Sequence, residues 1–565
     1  MSVIEHAKRK GVFAPLAGLM NPSALAPTNS RADAPFVALV VATFALVAGA
    51  GAIYHEMWQD ELQAWLIARD SSSLGELFFN LRYEKHPGLW HLCLYFITRL
   101  TADPSAMQVL NWVFAVGVVT LFVAFAPFTR LQRLLFSFGY FPLFEYGVIS
   151  RTYALGVLLV FLFCALFSKT DKNYFALTCV LALLANTSLY GLIVALALGL
   201  MVMLHAALER GVRNFSRREG WRIGAGALVL ALGVAAALVQ IIPPPEGARE
   251  VERDALVNAY SKRLAVTREN KDRAVLTLTK VWDSYAPLPN VTTHHFWETN
   301  ILMILSERDS RRARLILSML LLGGSLILLA RQPAVCASYL AGTAGLLLFS
   351  YSIYPGLIRH HGHIFILFIA CLWISQRAPR SAWNWPGVTR VSDFLNRYRS
   401  GFVAALFCIH LAAGVFAIGM DFLNPFTASK KAAAYLKERG VDDVLLVGHY
   451  DHETNFIAAY LGVRAYHLES GDFGSFTVFS KKRKHLTLDG AVEELKRVVA
   501  AERRDVLLVL NYPLENDVSP LSVTELARFT GAIVHYENFY VYLIRKKAAP
   551  MMDNSITLSL WIDTV

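Results

Sequence analysis

Long apolar runs separated by short polar stretches fill the first three quarters of the chain. Stretches of about 17 to 25 apolar residues recur, a length with which an α-helix crosses a hydrocarbon core of about 30 Å. Apolar spans are readable over Phe36 to Tyr54, Met107 to Phe128, Leu134 to Ile149, Thr152 to Phe167, Phe175 to Ala185, Leu189 to Ala207, Ile223 to Ile242, Leu315 to Leu329, Val335 to Tyr354, Ile364 to Ser375 and Phe402 to Met420. The pattern therefore predicts an α-helical polytopic membrane protein.

One further apolar segment, Gly88 to Leu100, is short for a span. If it crosses the membrane, parity places Arg130 and Arg133 outside, against the tendency of Lys and Arg to stay in cytoplasmic loops. We therefore expect about 11 to 13 transmembrane helices.

The pattern changes to that of a soluble domain from Asn424 onward. Helical stretches alternate with short apolar runs: Lys430 to Gly440, Val444 to Gly448, Gly490 to Glu502, Val506 to Leu510 and Phe539 to Ile544. This rhythm predicts a small α/β domain. The domain contains neither GxGxxG nor GxxxxGK[ST], so nothing in it indicates nucleotide binding.

Composition and charge agree with a membrane protein. Of the 565 residues, 55% are hydrophobic and 17% charged, and the net charge is +11. The basic residues cluster in short loops such as Arg210 to Arg222 and Gln376 to Arg399, which indicates cytoplasmic loops rather than a nucleic-acid surface. We expect a multi-pass protein of the bacterial inner membrane with an extracytoplasmic C-terminal domain.

The predicted organisation has four parts. These are a cytoplasmic segment 1–35, a transmembrane domain 36–422 with an outer loop 55–87 and an outer insertion 243–314, a periplasmic α/β domain 423–548, and a tail 549–565.

Two adjacent carboxylates, Asp60 and Glu61, lie between Trp58 and Trp65 just beyond the outer end of the first span. Aromatic residues at such a place are typical of the membrane interface, and solvated acids would need no further explanation. The alternative is chemistry, because a carboxylate beside an acceptor hydroxyl can act as a general base.

A second polar group follows in the same loop, where Glu84, Lys85 and His86 precede Pro87. A cation here could stabilise charge that develops on a departing phosphate, which suits Lys85. Glu84 and His86 could instead help to hold a divalent metal ion, although two candidate ligands are a weak metal signal. The metal question stays open at this point.

These motifs resemble the GT-C superfamily of polyprenyl-phosphate-dependent membrane glycosyltransferases, near the protein O-mannosyltransferases and the aminoarabinose transferases of lipid A. Asp60 and Glu61 match an Asp-Glu motif after the first span, and Glu84 to Pro87 match an acidic-x-(Lys or His)-Pro motif that ends the first outer loop. Gly88 departs from the second proline of many relatives. The resemblance covers Phe36 to Ala207; beyond it only the architecture agrees.

The resemblance implies a GT-C-like fold and an inverting transfer of a sugar from a polyprenyl-phosphate donor to an envelope acceptor. It also implies Asp60 as the catalytic base, with Glu61 second. The segments Ser150 to Leu155 and Asn186 to Gly191 are similar to the family's arginine-tyrosine start of a later span and its polar outer-edge segment. They add Tyr153, Asn186 and Tyr190 as candidates for substrate contact.

Arg151 and Arg359 join Lys85 as candidates for binding the donor phosphate. Arg151 could instead pair with Glu145, because charges near membrane depth are usually partnered. Arg359 begins the sequence Arg-His-His-Gly-His, which an interfacial basic turn also explains.

Two more clusters have an ordinary interpretation and a functional one. His294 to Glu298 fits an interfacial anchor, or a surface on which a sugar stacks. The polar residues from His449 to Glu453 follow a predicted strand and fit an exposed loop, although ligands do bind beyond strand ends.

Two other functions compete with glycosyl transfer. A transporter or flippase of lipid-linked sugars would place ionisable groups near the midplane and use broken helices, whereas these carboxylates gather at one outer edge. A non-catalytic envelope assembly factor would tolerate loss of the outer-loop acids. The partners expected for the enzyme are the lipid-linked donor, an envelope acceptor and the bilayer.

Overall fold

The computed structural model describes residues 33–210, 217–242, 270–377, 386–440, 444–479, 483–484, 486–502 and 505–546. The predicted segment 1–35 and the tail 549–565 fall outside these residues apart from 33–35. The chain forms two compact units. The first comprises Met1–Thr427, Val478–Lys481 and Gly531–His535, and the second comprises Ala428–Thr477, Lys482–Thr530 and Tyr536–Val565.

The described part of the first unit is helical. Its helices are α1 Ala34–Tyr54, α2 Gln59–Asp70, α3 Leu74–Asn80, α4 Leu89–Thr98, α5 Ser105–Phe125, α6 Arg130–Ser137, α7 Tyr153–Phe167, α8 Tyr174–Ala185, α9 Leu189–Arg210, α10 Arg217–Ile241, α11 Asn270–Leu278, α12 Lys280–Tyr285, α13 Glu307–Leu329, α14 Pro333–Ser352, α15 Ile358–Ser375 and α16 Pro386–Leu423.

Eight of the described helices are long and apolar enough to cross a membrane: α1, α5, α9, α10, α13, α14, α15 and α16. The shorter apolar helices α4, α7 and α8 accompany them. Large apolar side chains such as Leu46 and Leu232 stay exposed on the outer helices, where lipid can cover them. The predicted fold class, a helical polytopic membrane protein with a C-terminal sheet domain, is confirmed.

Helix α15 lies at the centre of the first unit, because every one of its residues is buried. Its first turn carries Arg359, so this buried helix begins with polar residues. The hydroxyl of Tyr146 donates to the backbone oxygen of Arg359 at 2.7 Å and fixes this start.

The prediction of one span from Leu134 to Ile149 is wrong. Helix α6 ends at Ser137, and a π-helical turn, Tyr140–Glu145, follows it. Pro142 lies inside this turn and has no N–H to continue a ladder of hydrogen bonds. A Cβ on Gly147 would lie 2.3 Å from the oxygen of Pro142, so only glycine allows this close approach.

Two other boundaries differ from the prediction. The expected cytoplasmic loop Gln376 to Arg399 is helical from Pro386, because α16 extends well before the apolar stretch that starts at Phe402. Helix α13 begins at Glu307 rather than Leu315, with Ser306 accepting the N–H of Asp309 as an N-cap.

The second unit contains a six-stranded mixed sheet in the order β3-β2-β1-β4-β6-β5. Its strands are β1 Leu445–Gly448, β2 Ala465–His467, β3 Asp472–Gly474, β4 Val506–Leu510, β5 Leu521–Phe529 and β6 Phe539–Lys546, and its helices are α17 Ser429–Glu438, α18 Asp451–Leu461 and α19 Leu488–Glu502. Strand β1 is parallel to both β2 and β4. Apolar residues of α19 pack on the central strands, as in α/β proteins.

Gly342 lets α14 approach its neighbours closely. A Cβ there would lie 2.4 Å from Leu367 of α15 and 2.9 Å from Ala197 of α9, whereas one on Gly324 of α13 would meet nothing within 4 Å. We expect Gly342→Ala to destabilise the protein by about 1–3 kcal/mol through overpacking. Gly324→Ala is the matched control. Thermal unfolding in detergent checks this, and equal melting temperatures for the two variants would contradict the packing.

Candidate active site

Asp60 lies in the first turn of α2 and contacts two arginines from distant parts of the chain. Its Oδ2 is 2.8 Å from Nη1 of Arg151 and 3.5 Å from Nη2 of Arg359. Arg151 precedes α7 and Arg359 lies in the first turn of α15, so three segments meet at this carboxylate. The side chain of Asp60 keeps 29% of its surface exposed, and those of Arg151 and Arg359 keep 12% and 7%. The acid can therefore be reached by a ligand.

Arg359 has a second partner and an aromatic enclosure. Its Nη1 makes an ion pair with Glu298, whose side chain is nearly buried. The guanidinium lies 4.8 Å from the ring centre of Trp58 and 5.2 Å from that of Trp297, distances at which cation–π attraction operates. These contacts hold Arg359 beside Asp60, and the two aromatic rings shield its guanidinium from solvent.

Glu61, the next residue, is fully buried and has its own set of partners. Its Oε2 accepts the N–H of Trp58 at 3.0 Å and lies 3.1 Å from Nε2 of His55. Its Oε1 accepts the N–H of Ser150 at 2.6 Å. Asp60 is next to Glu61 in sequence, and Arg151 is next to Ser150. The Glu61 carboxylate therefore fixes the positions of both members of the Asp60–Arg151 ion pair.

His55 joins Glu61 to the end of the last helix of the first unit, because its Nδ1 lies 2.9 Å from Oδ2 of Asp421. Burial alone would lower the pKa of His55, but the two carboxylates outweigh it and raise this pKa to about 10. His55 is therefore a buried imidazolium between two acids at neutral pH.

The pKa values of other site groups are also shifted. Burial raises the pKa of Glu298, and the adjacent guanidinium of Arg359 opposes this rise. Burial lowers the pKa of Arg151 to about 10, so this guanidinium still carries its charge at pH 7. Burial, with Arg359 and Lys85 nearby, lowers the pKa of His86 to about 4, so this imidazole is neutral.

The three candidates of the second motif, Glu84, Lys85 and His86, have different surroundings. Lys85 is exposed and has a left-handed backbone, with φ of 56°. Glu84 accepts a hydrogen bond from Nε2 of Gln63 at 3.0 Å, and Nδ1 of His86 is buried without a partner among the described residues. The part of the chain that the structure describes contains no group of three or more His, Cys, Asp or Glu side chains that could hold a metal ion.

Tyr153 and Tyr190 pack with the histidines that follow Arg359. Tyr190 stacks on His360 and His363, with ring centres 4.9 and 5.3 Å apart. Tyr153 meets the same two rings edge to face. Asn186 is used differently, because its amide donates to the oxygens of Ala182 and Gly233 and so joins α8 to α10.

Two alternatives from the sequence are corrected. Glu145 does not pair with Arg151; it accepts hydrogen bonds from the hydroxyl of Tyr140 at 2.8 Å and from Nε1 of Trp297 at 3.1 Å. Arg359 does not lie in an interfacial turn, because it is buried in the first turn of α15. Trp297, which bonds Glu145, and Asp60 and Glu298, which contact Arg359, are distant in sequence, so neither set of contacts follows from the local pattern.

Sequence reasoning did not place His55 or Asp421 at the site, and it named Glu298 only as part of a possible sugar-stacking surface. The available signal was weak: ionisable residues at the ends of apolar spans are costly and usually partnered. Asp421 follows the last span directly and His55 follows the first, which points to a partner for each but does not say that they meet.

Two solved structures are similar to this chain. ArnT from Cupriavidus metallidurans, whose crystal structure has undecaprenyl phosphate bound, aligns at 13% identity with a TM-score of 0.47 over 90% of this chain and 98% of ArnT. The arabinofuranosyltransferase AftD from Mycobacteria aligns at 12% identity with a TM-score of 0.38 over 91% of this chain, which spans 40% of AftD. No protein-family model matches the sequence, and a search of curated proteins finds no match.

The pKa of His55 gives the fold a pH dependence. Its folded value of about 10 lies above the ordinary value near 6.5, so its stabilising contribution is full below pH 6.5 and is lost as pH rises to about 10. We expect the melting temperature of His55→Gln to be furthest below that of the wild type at pH 6, with the gap closing toward pH 10. Thermal unfolding between pH 6 and 10 measures it, with half-buried His294→Gln as control; a constant gap would contradict the buried imidazolium.

Proposed function

We propose that the protein is a membrane glycosyltransferase that moves a sugar from a polyprenyl-phosphate-linked donor to an extracytoplasmic acceptor, which is a lipid, a glycan or a protein. The observation that carries this proposal is a partly exposed carboxylate, Asp60, held against two buried guanidiniums. Such a site offers a base for the acceptor and cations for the leaving phosphate. The proposal includes the bacterial inner membrane and an outward-facing C-terminal unit.

The proposed reaction is a single displacement. Asp60 takes the proton of the acceptor hydroxyl, and the oxygen attacks the anomeric carbon. The bond from this carbon to the phosphate oxygen breaks, and its electron pair leaves with the polyprenyl phosphate. Attack opposite the leaving group inverts the anomeric configuration.

The arginines carry the electrostatic part of this proposal. The phosphate gains negative charge as the sugar leaves, and guanidiniums bind phosphate with two parallel N–H donors. Arg151 and Arg359 are both engaged with Asp60. We propose that the donor phosphate takes over these donors and thereby releases the carboxylate to act as a base.

The remaining candidates have supporting roles in the proposal. Glu61 orients Asp60 through the contacts of its own carboxylate. Lys85 is a further phosphate contact, whereas Tyr153 and Tyr190 lie on the substrate side through their packing with His360. Asn186 supports the helices behind them, and Glu84 and His86 remain the candidates for a divalent ion.

We expect Asp60→Asn to lower the transfer rate by about 10²–10⁴-fold, because the amide cannot accept the acceptor's proton. Transfer is measured with the purified protein, decaprenyl-phosphosugar donors and extracted envelope acceptors, at protein levels matched after size-exclusion chromatography. Asp70→Asn is the matched control, since Asp70 ends the same helix and pairs with Arg69. Full activity in Asp60→Asn would contradict the assignment.

We expect Arg151→Gln to weaken binding of decaprenyl phosphate by about tenfold or more, because a charge-assisted contact to phosphate is worth about 1.5–3 kcal/mol. Fluorescence titration in detergent measures the Kd. Arg528→Gln is the control, since Arg528 forms an exposed pair with Glu525 in the second unit. Equal affinities for the two variants would show that Arg151 is not a phosphate contact.

A further inference from the structure

The outer loop ends at Gly88, whose N–H donates to the side-chain oxygen of Gln240 at 2.8 Å. Gln240 is half-buried and lies one residue before the end of α10, 152 positions further along the chain. We propose that Gln240 is a positioning residue for Lys85, and that its bond to Gly88 holds this lysine where it can reach the donor phosphate. The inference rests on the proposed function, in which Lys85 is a phosphate contact.

Lys85 has a backbone conformation that needs support from its neighbours. Its φ of 56° lies in the left-handed region, which is unfavourable for a residue with a Cβ. Such a conformation persists where the surrounding structure fixes the chain on both sides. The side chain of Lys85 is exposed, so the contacts of the residues before and after it decide where its ammonium group lies.

The residue before Lys85 is anchored to the helix that carries Asp60. The N–H of Glu84 donates to the oxygen of Leu81 at 2.9 Å, and its carboxylate accepts a hydrogen bond from Nε2 of Gln63 at 3.0 Å. Gln63 lies three residues after Asp60 in α2, so the two side chains are neighbours on the helix surface. This contact sets the start of the second motif relative to Asp60.

The end of the outer loop is anchored to α8 and α10. Besides the bond from Gly88 to Gln240, the N–H of Leu89 donates to the backbone oxygen of Asn186 at 3.2 Å. The amide nitrogen of Gln240 donates to the oxygen of Ala236 at 2.7 Å and lies 3.4 Å from Oδ1 of Asn186. Gln240 and Asn186, which hold this end of the loop, therefore also contact each other.

The bond to Gln240 depends on a glycine at position 88. A proline there would have no N–H to donate. A Cβ on Gly88 would lie 3.0 Å from Oε1 of Gln240 and 2.9 Å from the ring of Phe78. A side chain would thus press on the oxygen that accepts the bond.

The turn around Lys85 also lies within electrostatic reach of the proposed phosphate site. Burial lowers the pKa of His86, and the positive charges of Arg359 and Lys85 lower it further. The imidazole that follows Lys85 is therefore close enough to sense both cations. A displaced turn would move the ammonium of Lys85 away from a phosphate on Arg359, and the attraction between charges falls with distance.

The test is a double-mutant cycle on the Kd of the purified full chain for decaprenyl phosphate in detergent. Lys85→Gln is made in the wild type and in two backgrounds that remove the bond from either side, Gln240→Met and Gly88→Pro. Gln132→Met is the matched control background, because the amide of Gln132 also joins distant segments and donates to the oxygen of Ser400 at 2.9 Å. Comparison within each background cancels a general loss of stability.

We expect Lys85→Gln to weaken binding about tenfold in the wild type and in Gln132→Met, because a charge-assisted contact to phosphate is lost. In Gln240→Met and in Gly88→Pro it should change the Kd by less than about twofold, because the lysine no longer reaches the phosphate. Gln240→Glu keeps an oxygen that accepts the N–H of Gly88, so the effect should again be about tenfold in that background.

A tenfold effect of Lys85→Gln in either Gln240→Met or Gly88→Pro would overturn the inference, and so would the absence of an effect in the wild type. Loss of the effect in Gln132→Met would also overturn it, because the coupling would then follow from any weakening of the fold. Failure of the proposed function has a different signature: Lys85 and Gln240 are coupled in phosphate binding, but no acceptor receives a sugar.

Discussion

The site depends on one buried carboxylate, that of Glu61. It accepts two backbone N–H groups, from Trp58 and Ser150, and pairs with the imidazolium of His55, which reaches Asp421 at the far end of the first unit. A buried charge is tolerated only where hydrogen bonds and an opposite charge satisfy it. Because every contact of Glu61 fixes a segment that carries a functional residue, the network that stabilises the fold also sets the geometry of the chemistry.

The positive and negative groups of the site compete with one another. Arg359 lies between Asp60 and Glu298, and Arg151 adds a second cation to Asp60. The arginines thus have partners without a ligand, and the carboxylate that we propose as the base is engaged by them. An anionic ligand changes these contacts, because it places a second negative charge beside the guanidiniums that contact Asp60. We propose that binding of the phosphate and release of the base are therefore one event.

The sequence could predict what local pattern determines. Apolar length predicts α1 and α5, and the short runs predict β4 and β6, because each signal lies within one segment. The sequence also pointed to Asp60, Arg151 and Arg359 as functional. It could not show that they meet, since 299 positions separate Asp60 from Arg359. The hydropathy pattern did not predict the turn at Pro142, because the run of apolar residues continues through the point at which the helix ends.

The affinity of Asp60→Asn for decaprenyl phosphate shows whether Asp60 and the phosphate compete for the same two arginines. If Asp60 and the phosphate compete for Arg151 and Arg359, removing the carboxylate's charge leaves both cations available and removes a repulsion. We expect Asp60→Asn to bind decaprenyl phosphate about tenfold more tightly than the wild type while it fails to transfer sugar. Weaker or unchanged binding would contradict it.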